Sequence, residues 1–165
     1  MDQIYHNTTG ESFTIDEVVE RLHMYYQEDP ESEYRIIIGS DSQRFQGPKT
    51  VTYTSVVLMH RVGKAAIFFF LKRKEPYAKY IGLHERITNE VTYSLELVKH
   101  IENSIVMQEI GQNNMEVHID AGPNGKSREI LAAVIGYVKG NGYECKTKPD
   151  AYVASKVADR FSKAS

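Results

Sequence analysis

Asp41 and Asp120 sit where a carboxylate needs a chemical reason. Asp41 follows Ile36-Ile37-Ile38-Gly39-Ser40, a run apolar on both faces, as a central strand is. A carboxylate at the end of such a strand risks desolvation and needs a partner. Asp120 ends the run Met115-Glu116-Val117-His118-Ile119 in the same way. Side chains alternate along a strand, so Glu116, His118 and Asp120 share one face while Val117 and Ile119 share the other. A turn aspartate or a cap is the plain structural reading of each acid. Near Asp41, however, the turn residues come later, at Gly47-Pro48.

Glu90 is a third candidate by helical phase. Ile87, Val91, Leu95, Val98, Ile101 and Ile105 form one apolar stripe at about 100° per residue. Glu85 and Glu96 fall opposite that stripe and face water. Glu90 lies at its edge, where an acid points along a sheet surface toward a strand end; an amphipathic boundary glutamate is the competing reading. Three converging acids repel one another unless a cation joins them. Mg²⁺ or Mn²⁺ suits an all-oxygen donor set. Zinc does not: His84-Glu85 opens like a zincin motif, but the second histidine position is Thr88, and there is no cysteine pair.

The segment Asp120-Ala121-Gly122-Pro123-Asn124-Gly125-Lys126-Ser127 ends as a phosphate-binding P-loop does. The first glycine of that motif is replaced by Asp120, which presents phosphate with the wrong charge. Helix N-terminal amides and Lys126 still suit one backbone phosphate, and a plain Pro-Asn-Gly turn is the alternative.

The elements that must hold these residues follow from periodicity. Thr14-Ile15-Asp16-Glu17 is a capping box. It opens a helix with Val18, Leu22 and Tyr25 or Tyr26 on one stripe, ended at Glu28-Asp29-Pro30. Residues 34–40, 50–61 and 65–73 read as three strands with short turns at 44–49 and 62–64, hence an antiparallel meander. Residues 84–103 read as a helix, 115–120 as a strand, 126–139 as a helix closed by Gly140-Asn141-Gly142, 143–148 as an edge strand and 150–163 as a last helix. The expected fold is α/β: one mixed five-stranded sheet, a meander plus two parallel strands, flanked by helices. In that topology the first and fourth strands run parallel and side by side. Both aspartates then project from the same end of the sheet, where open α/β sheets bind ligands.

The 165 residues suit a single domain, 1–165, with 1–33 as an N-terminal helical extension. No apolar run approaches the ~18–20 residues of a membrane span, and Met1-Asp2-Gln3-Ile4 lacks the basic start of a secretory signal. Cys145 is the lone cysteine and reads as a structural thiol, so a reduced, cytoplasmic setting is expected. Net charge is −2, but it is unevenly spread. Residues 1–33 hold nine acids against Arg21 alone, whereas residues 121–165 hold eight bases against four acids. A polyanion meeting the C-terminal half fits this bias, as does an ordinary solvated surface.

Gly39-Ser40-Asp41-Ser42-Gln43, His118-Ile119-Asp120, Asn124-Gly125-Lys126-Ser127, Gly140-Asn141-Gly142, and Lys148-Pro149-Asp150-Ala151-Tyr152 through Val157-Ala158-Asp159-Arg160 together resemble the YkuK family of ribonuclease H-like proteins. The resemblance covers nearly the whole chain. It implies one acid on the first strand, one on the first helix after the meander and one on the fourth strand, matched by Asp41, Glu90 and Asp120. It also implies a fourth on the last helix, with Asp159 similar in place and Asp150, a good N-cap, as the alternative. The exonuclease branch of that superfamily carries Asp-x-Glu on the first strand. Here Gln43 replaces the glutamate, which points toward an endonuclease-like site.

The activity implied is phosphodiester hydrolysis in RNA or DNA with two Mg²⁺ or Mn²⁺ ions held by Asp41, Glu90, Asp120 and Asp159. Lys126, Arg128, Lys148 and Lys156, with Lys72-Arg73-Lys74, are candidates for backbone contacts, each equally readable as a solvated base. His118 is a candidate proton carrier, with a core or surface histidine the stronger reading. The expected partner is nucleic acid, RNA or an RNA/DNA hybrid ahead of duplex DNA, with no membrane. A non-catalytic nucleic-acid or ribonucleoprotein binding module is the main alternative. An actin-like ATPase, suggested by Asp120-Ala121-Gly122, needs two such domains.

Overall fold

The computed structural model of the chain describes residues 2–78, 81–122, 127–148 and 150–151. Two short strands, β1 (Tyr5–His6) and β2 (Ser12–Phe13), precede helix α1 (Ile15–Gln27). The meander follows as β3 (Tyr34–Phe45), β4 (Thr50–Arg61) and β5 (Ala66–Pro76). Helices α2 (Leu83–Ile101) and α3 (Ile105–Ile110) lead to β6 (Met115–Ile119), α4 (Arg128–Gly140) and β7 (Glu144–Lys146).

The strands form one mixed sheet in the order β2-β1-β5-β4-β3-β6-β7. β3 pairs antiparallel with β4 and parallel with β6, and β6 pairs parallel with β7. This is the expected α/β architecture of a meander plus parallel strands, with seven strands among the described residues instead of five. The two additional strands lie in the segment expected to be purely helical. Each is two residues long, too short to carry a period-2 signal, and β1 joins the sheet through the single pair His6↔Phe70. The capping box is present: Thr14 accepts from the Glu17 amide and Glu17 accepts from the Thr14 amide.

One sheet face carries the helices. Ile36 and Ile38 of β3, Val57 and Met59 of β4, Phe69 and Leu71 of β5, and Val117 and Ile119 of β6 share a core with Val18 and Leu22 of α1, Val91 and Val98 of α2 and Val134 of α4. The opposite face buries a smaller cluster of Ile37, Val56, Leu58 and Phe70. This two-sided burial explains why the Ile run shows no alternation. Arg61 fastens α1 to the sheet, lying over the Tyr25 ring at 4.1 Å and donating to the Tyr25 carbonyl and the Tyr34 hydroxyl.

Several boundaries differ from expectation, among them the end of β5, which runs on to Pro76. β3 continues to Phe45, because β4 supplies an unbroken partner from Arg61 to Thr50. Asp41 is therefore inside the strand, paired with Thr54, and not at its end. The helix after the meander stops at Ile101, and Ser104 caps a separate helix through the Met107 amide. Ile105 is accordingly half exposed and does not extend the stripe of α2. β7 shortens to Glu144–Lys146, since β6 offers it three partners.

Ile38 is fully buried at the centre of β3. Ile38→Ala is expected to cost about 2–5 kcal/mol, measured as a lower urea midpoint at unchanged slope; a loss below about 1 kcal/mol would contradict its central place in the core.

Candidate active site

The β3–β6 register decides where the aspartates meet. The last pair in that ladder is Ser40↔Ile119. The next residue on each strand is an aspartate, Asp41 and Asp120. Beyond this point β6 has ended, while β3 runs on with β4 and β5 as an overhanging three-stranded platform.

Alternation sorts the platform into two faces. Ser40, Ser42, Tyr53, Ser55 and Arg73 turn toward α2. Ser94 of α2 donates to Ser40 at 2.9 Å, Ser40 and Ser55 lie 2.8 Å apart, and Arg73 reaches Ser55 and Glu96. The other face carries the rows Asp41-Thr54-Lys72 and Gln43-Thr52-Lys74, set by the β3–β4 and β4–β5 registers. The basic run 72–74 is thereby split: Lys72 and Lys74 share Asp41's face, and Arg73 is absorbed in structure. Gln43 Oε1 and Thr54 Oγ1, on that same face, are buried without a hydrogen-bond partner.

Glu90 comes from α2 onto the α2-facing side and is 6% exposed. Ser42 donates to Glu90 Oε1 at 2.5 Å, and Arg86, one turn earlier on α2, reaches Ser42 Oγ at 3.3 Å. Burial, reinforced by the charges of Asp41 and Asp120, pushes the Glu90 carboxyl up to about 8 against the opposing Ser42 hydrogen bond and Arg86 charge. The three acids named from sequence are thus electrostatic neighbours, but Ser42 rather than Asp41 touches Glu90. Ser42 and Arg86 were not singled out from sequence. The i, i+4 spacing of Arg86 to Glu90 is the signal that was available.

Lys148 completes the cluster. Its Nζ lies 2.9 Å from Asp120 Oδ1, a salt bridge. The hydrogen bond to Asp120 raises the Lys148 pKa against the lowering effect of burial, and the charges of Asp120, Asp41 and Glu90 add to the rise. Lys148, a candidate for backbone contact, pairs here with a carboxylate. Arg128 is exposed in the first turn of α4. Asp150 is exposed, its amide donating to the Thr147 carbonyl. Asp159, Lys126 and Lys156 lie outside the described residues, as do residues 152–163 of the helix expected over 150–163.

His118 and Glu116 form a separate buried group on the same strand. His118 Nε2 lies 3.1 Å from Glu116 Oε2, while Arg35 and Lys146 bind Glu116 Oε1. Burial lowers the His118 pKa despite Glu116. Burial also pushes Glu116 up, but the His118 and Lys146 contacts outweigh it and leave its carboxyl below the usual range. This is the pattern of a paired core histidine. Cys145 is half-buried with its pKa raised by burial, the mark of an unreactive thiol.

The donor set suits a hard divalent cation. Asp41 and Asp120 offer anionic oxygens from adjacent strands, and the buried Glu90 carboxyl, raised first by burial and then by those two charges, stands near them. Among the described residues, no three His, Cys, Asp or Glu side chains are already arranged around one metal position. The residues fit the ion in kind: Asp41 and Asp120 share one face, Glu90 reaches Ser42 from the α2 side, and Lys148 stands at Asp120.

Residues 17–163 match the family model described as ribonuclease H-like. The chain belongs to the ribonuclease H-like family. Within it, the chain is 31% identical over 170 residues to a Bacillus subtilis (strain 168) protein described as uncharacterized protein YkuK, an alignment covering 97% of each chain. This ribonuclease H-like chain matches no solved structure. Among its described residues, no helix is long and apolar enough to cross a membrane.

The Glu90 shift has a definite sign. Its folded pKa lies above its unfolded value, so the associated stability is full below pH ~4.5 and is lost as pH rises through about 8. In EDTA, Glu90→Gln should therefore flatten the fall in melting temperature between pH 5 and pH 9. A carbon-13 carboxyl titration should show one glutamate titrating near 8 that is missing from the variant; only ordinary glutamate values would contradict the buried, charge-crowded position.

Proposed function

We propose that this ribonuclease H-like domain is a metal-dependent nuclease acting on phosphodiester bonds, with Asp41, Glu90 and Asp120 as its carboxylate centre. The observation that carries this reading is the parallel register: Asp41 and Asp120 follow the last β3–β6 pair side by side, next to a buried glutamate that senses both charges.

Mg²⁺ or Mn²⁺, bound there, supplies Lewis-acid activation of water and stabilisation of the leaving oxygen. The chain's own residues do the rest. Asp41 and Asp120 present anionic oxygens from adjacent strands, and Glu90 adds a third after releasing its proton. Ser42, pinned between Arg86 and Glu90, fixes the orientation of that glutamate. Lys72 and Lys74, in the cross-strand rows of Asp41 and Gln43, meet the sugar–phosphate backbone as it crosses the platform. In the reaction water attacks phosphorus, the bond to the leaving ribose or deoxyribose oxygen breaks, and a phosphate monoester and a hydroxyl end result. Asp159 remains the proposed fourth ligand on the strength of the family resemblance, and RNA or an RNA/DNA hybrid the preferred substrate.

A nucleic-acid-binding module without catalysis is the second reading. It is favoured by the Lys148 ammonium at the carboxylates, a self-contained way to neutralise them.

Labelled single-stranded RNA, duplex RNA, RNA/DNA hybrid and DNA, incubated with Mg²⁺, Mn²⁺ or EDTA, separate the two. Asp41→Asn and Asp120→Asn are each expected to lower cleavage by about 100-fold or more, equivalent to about 2.7 kcal/mol of transition-state stabilisation. Cleavage unchanged in EDTA or in both variants would refute the metal mechanism, and binding without cleavage of any substrate would support the module. Replacing Lys72 and Lys74 by Ala should weaken binding to all single-stranded sequences alike and reduce the salt slope by about 0.7 per lost contact. An unchanged slope would remove the platform from the interface.

A further inference from the structure

Lys148 is delivered to the centre by backbone, not by chance of a long side chain. Its amide donates to the Ala121 carbonyl at 2.9 Å, in the segment that follows β6. Gly122 lies against it: a Cβ at Gly122 would stand 3.4 Å from the Lys148 Cβ, so a glycine there lets the two segments close without crowding. β7 and the residues after it thus bring two lysines to two acids of the neighbouring segment, Lys146 to Glu116 and Lys148 to Asp120. The two pairs differ in kind. Glu116 is also held by Arg35 and His118, and its side chain is nearly buried. The Lys148 side chain is 57% exposed and that of Asp120 21%.

From this geometry we propose that Lys148 is the resident counter-ion of the carboxylate centre, and that a divalent cation binds Asp120 by displacing it. The proposal rests on the reading of the centre as a metal site. An ammonium 2.9 Å from Asp120 Oδ1 and a doubly charged ion on the same carboxylate repel each other strongly. One must leave, and the flexible four-carbon stem of a half-exposed lysine moves at little cost. Lys148 therefore weakens metal binding in the resting chain and keeps the crowded acids neutralised without metal. Once displaced, its ammonium remains within a side-chain length of the centre, where an anionic substrate meets it.

The test uses the full chain stripped with EDTA and titrated calorimetrically with MnCl₂, alongside melting temperatures in EDTA and in Mn²⁺. Lys148→Met and Lys148→Gln are expected to bind Mn²⁺ about tenfold tighter than the parent chain, the effect of removing one competing unit charge near the ion. Both should melt lower in EDTA and gain more from Mn²⁺, whereas Lys148→Arg should behave as the parent does. Mn²⁺ affinity equal to or weaker than the parent's in both neutral variants, with binding intact, would overturn the counter-ion role and leave the metal centre standing. Absence of Mn²⁺ binding in the parent and in every Lys148 variant would overturn the metal centre itself, and the counter-ion role with it.

Discussion

The parallel pairing of β3 with β6 is the constraint on which the site depends. Five consecutive pairs, Ile36↔Met115 to Ser40↔Ile119, fix the relative height of two strands that are distant in sequence. A slip of one residue would carry every β6 side chain to the opposite face, exposing Val117 and Ile119 and burying Glu116 and His118 among the helices. The apolar core therefore specifies the register, and the register in turn sets Asp41 beside Asp120. Hydrophobic burial between sheet and helices thus determines the spacing of two carboxylates that take no part in it. The acids crowd together because the packing below them leaves no other arrangement.

That crowding shapes the chemistry of everything nearby. Glu90 is taken from water by α2 and the sheet, and two neighbouring negative charges oppose its ionisation further. Ser42 and Arg86 offset part of this, and Lys148 answers Asp120 from the other side. The balance is one of excess negative charge in a partly dry place. In the proposed centre a hard cation would relieve it, and the lysine would serve in its absence. The Glu116 group, one strand step away, carries enough positive charge to be settled without a ligand. The contrast sets the satisfied Glu116 apart from the acids proposed for the metal centre more clearly than burial alone.

The fold and the core of the site were legible in the sequence to different depths. The long β-branched segments, the capping box and the helical stripe were sufficient for the meander, α1, α2 and the parallel strand, because each rests on many residues of one period. The pairs Tyr5–His6 and Ser12–Phe13 were not legible, since two residues carry no period and their pairing depends on a tertiary edge. The adjacency of Asp41 and Asp120 was legible through the parallel pairing of their strands, although Asp41 lies inside β3 and not at its end. Glu90 was legible through phase, although its near-complete burial was not. The Ser42–Glu90 contact and the Lys148–Asp120 pair were invisible, because both join residues whose separation is set by packing. Lys148 was read as a backbone-contact candidate, and its pairing with Asp120 was not legible, since composition reports charge and not what the charge faces.

The most direct measurement is the anomalous scattering of crystals grown in MnCl₂. Manganese density between Asp120, Glu90 and Asp41, with the Lys148 ammonium withdrawn from Asp120, is the result this account predicts. Manganese absent from these carboxylates at saturating concentration, with Lys148 still paired to Asp120, would contradict it.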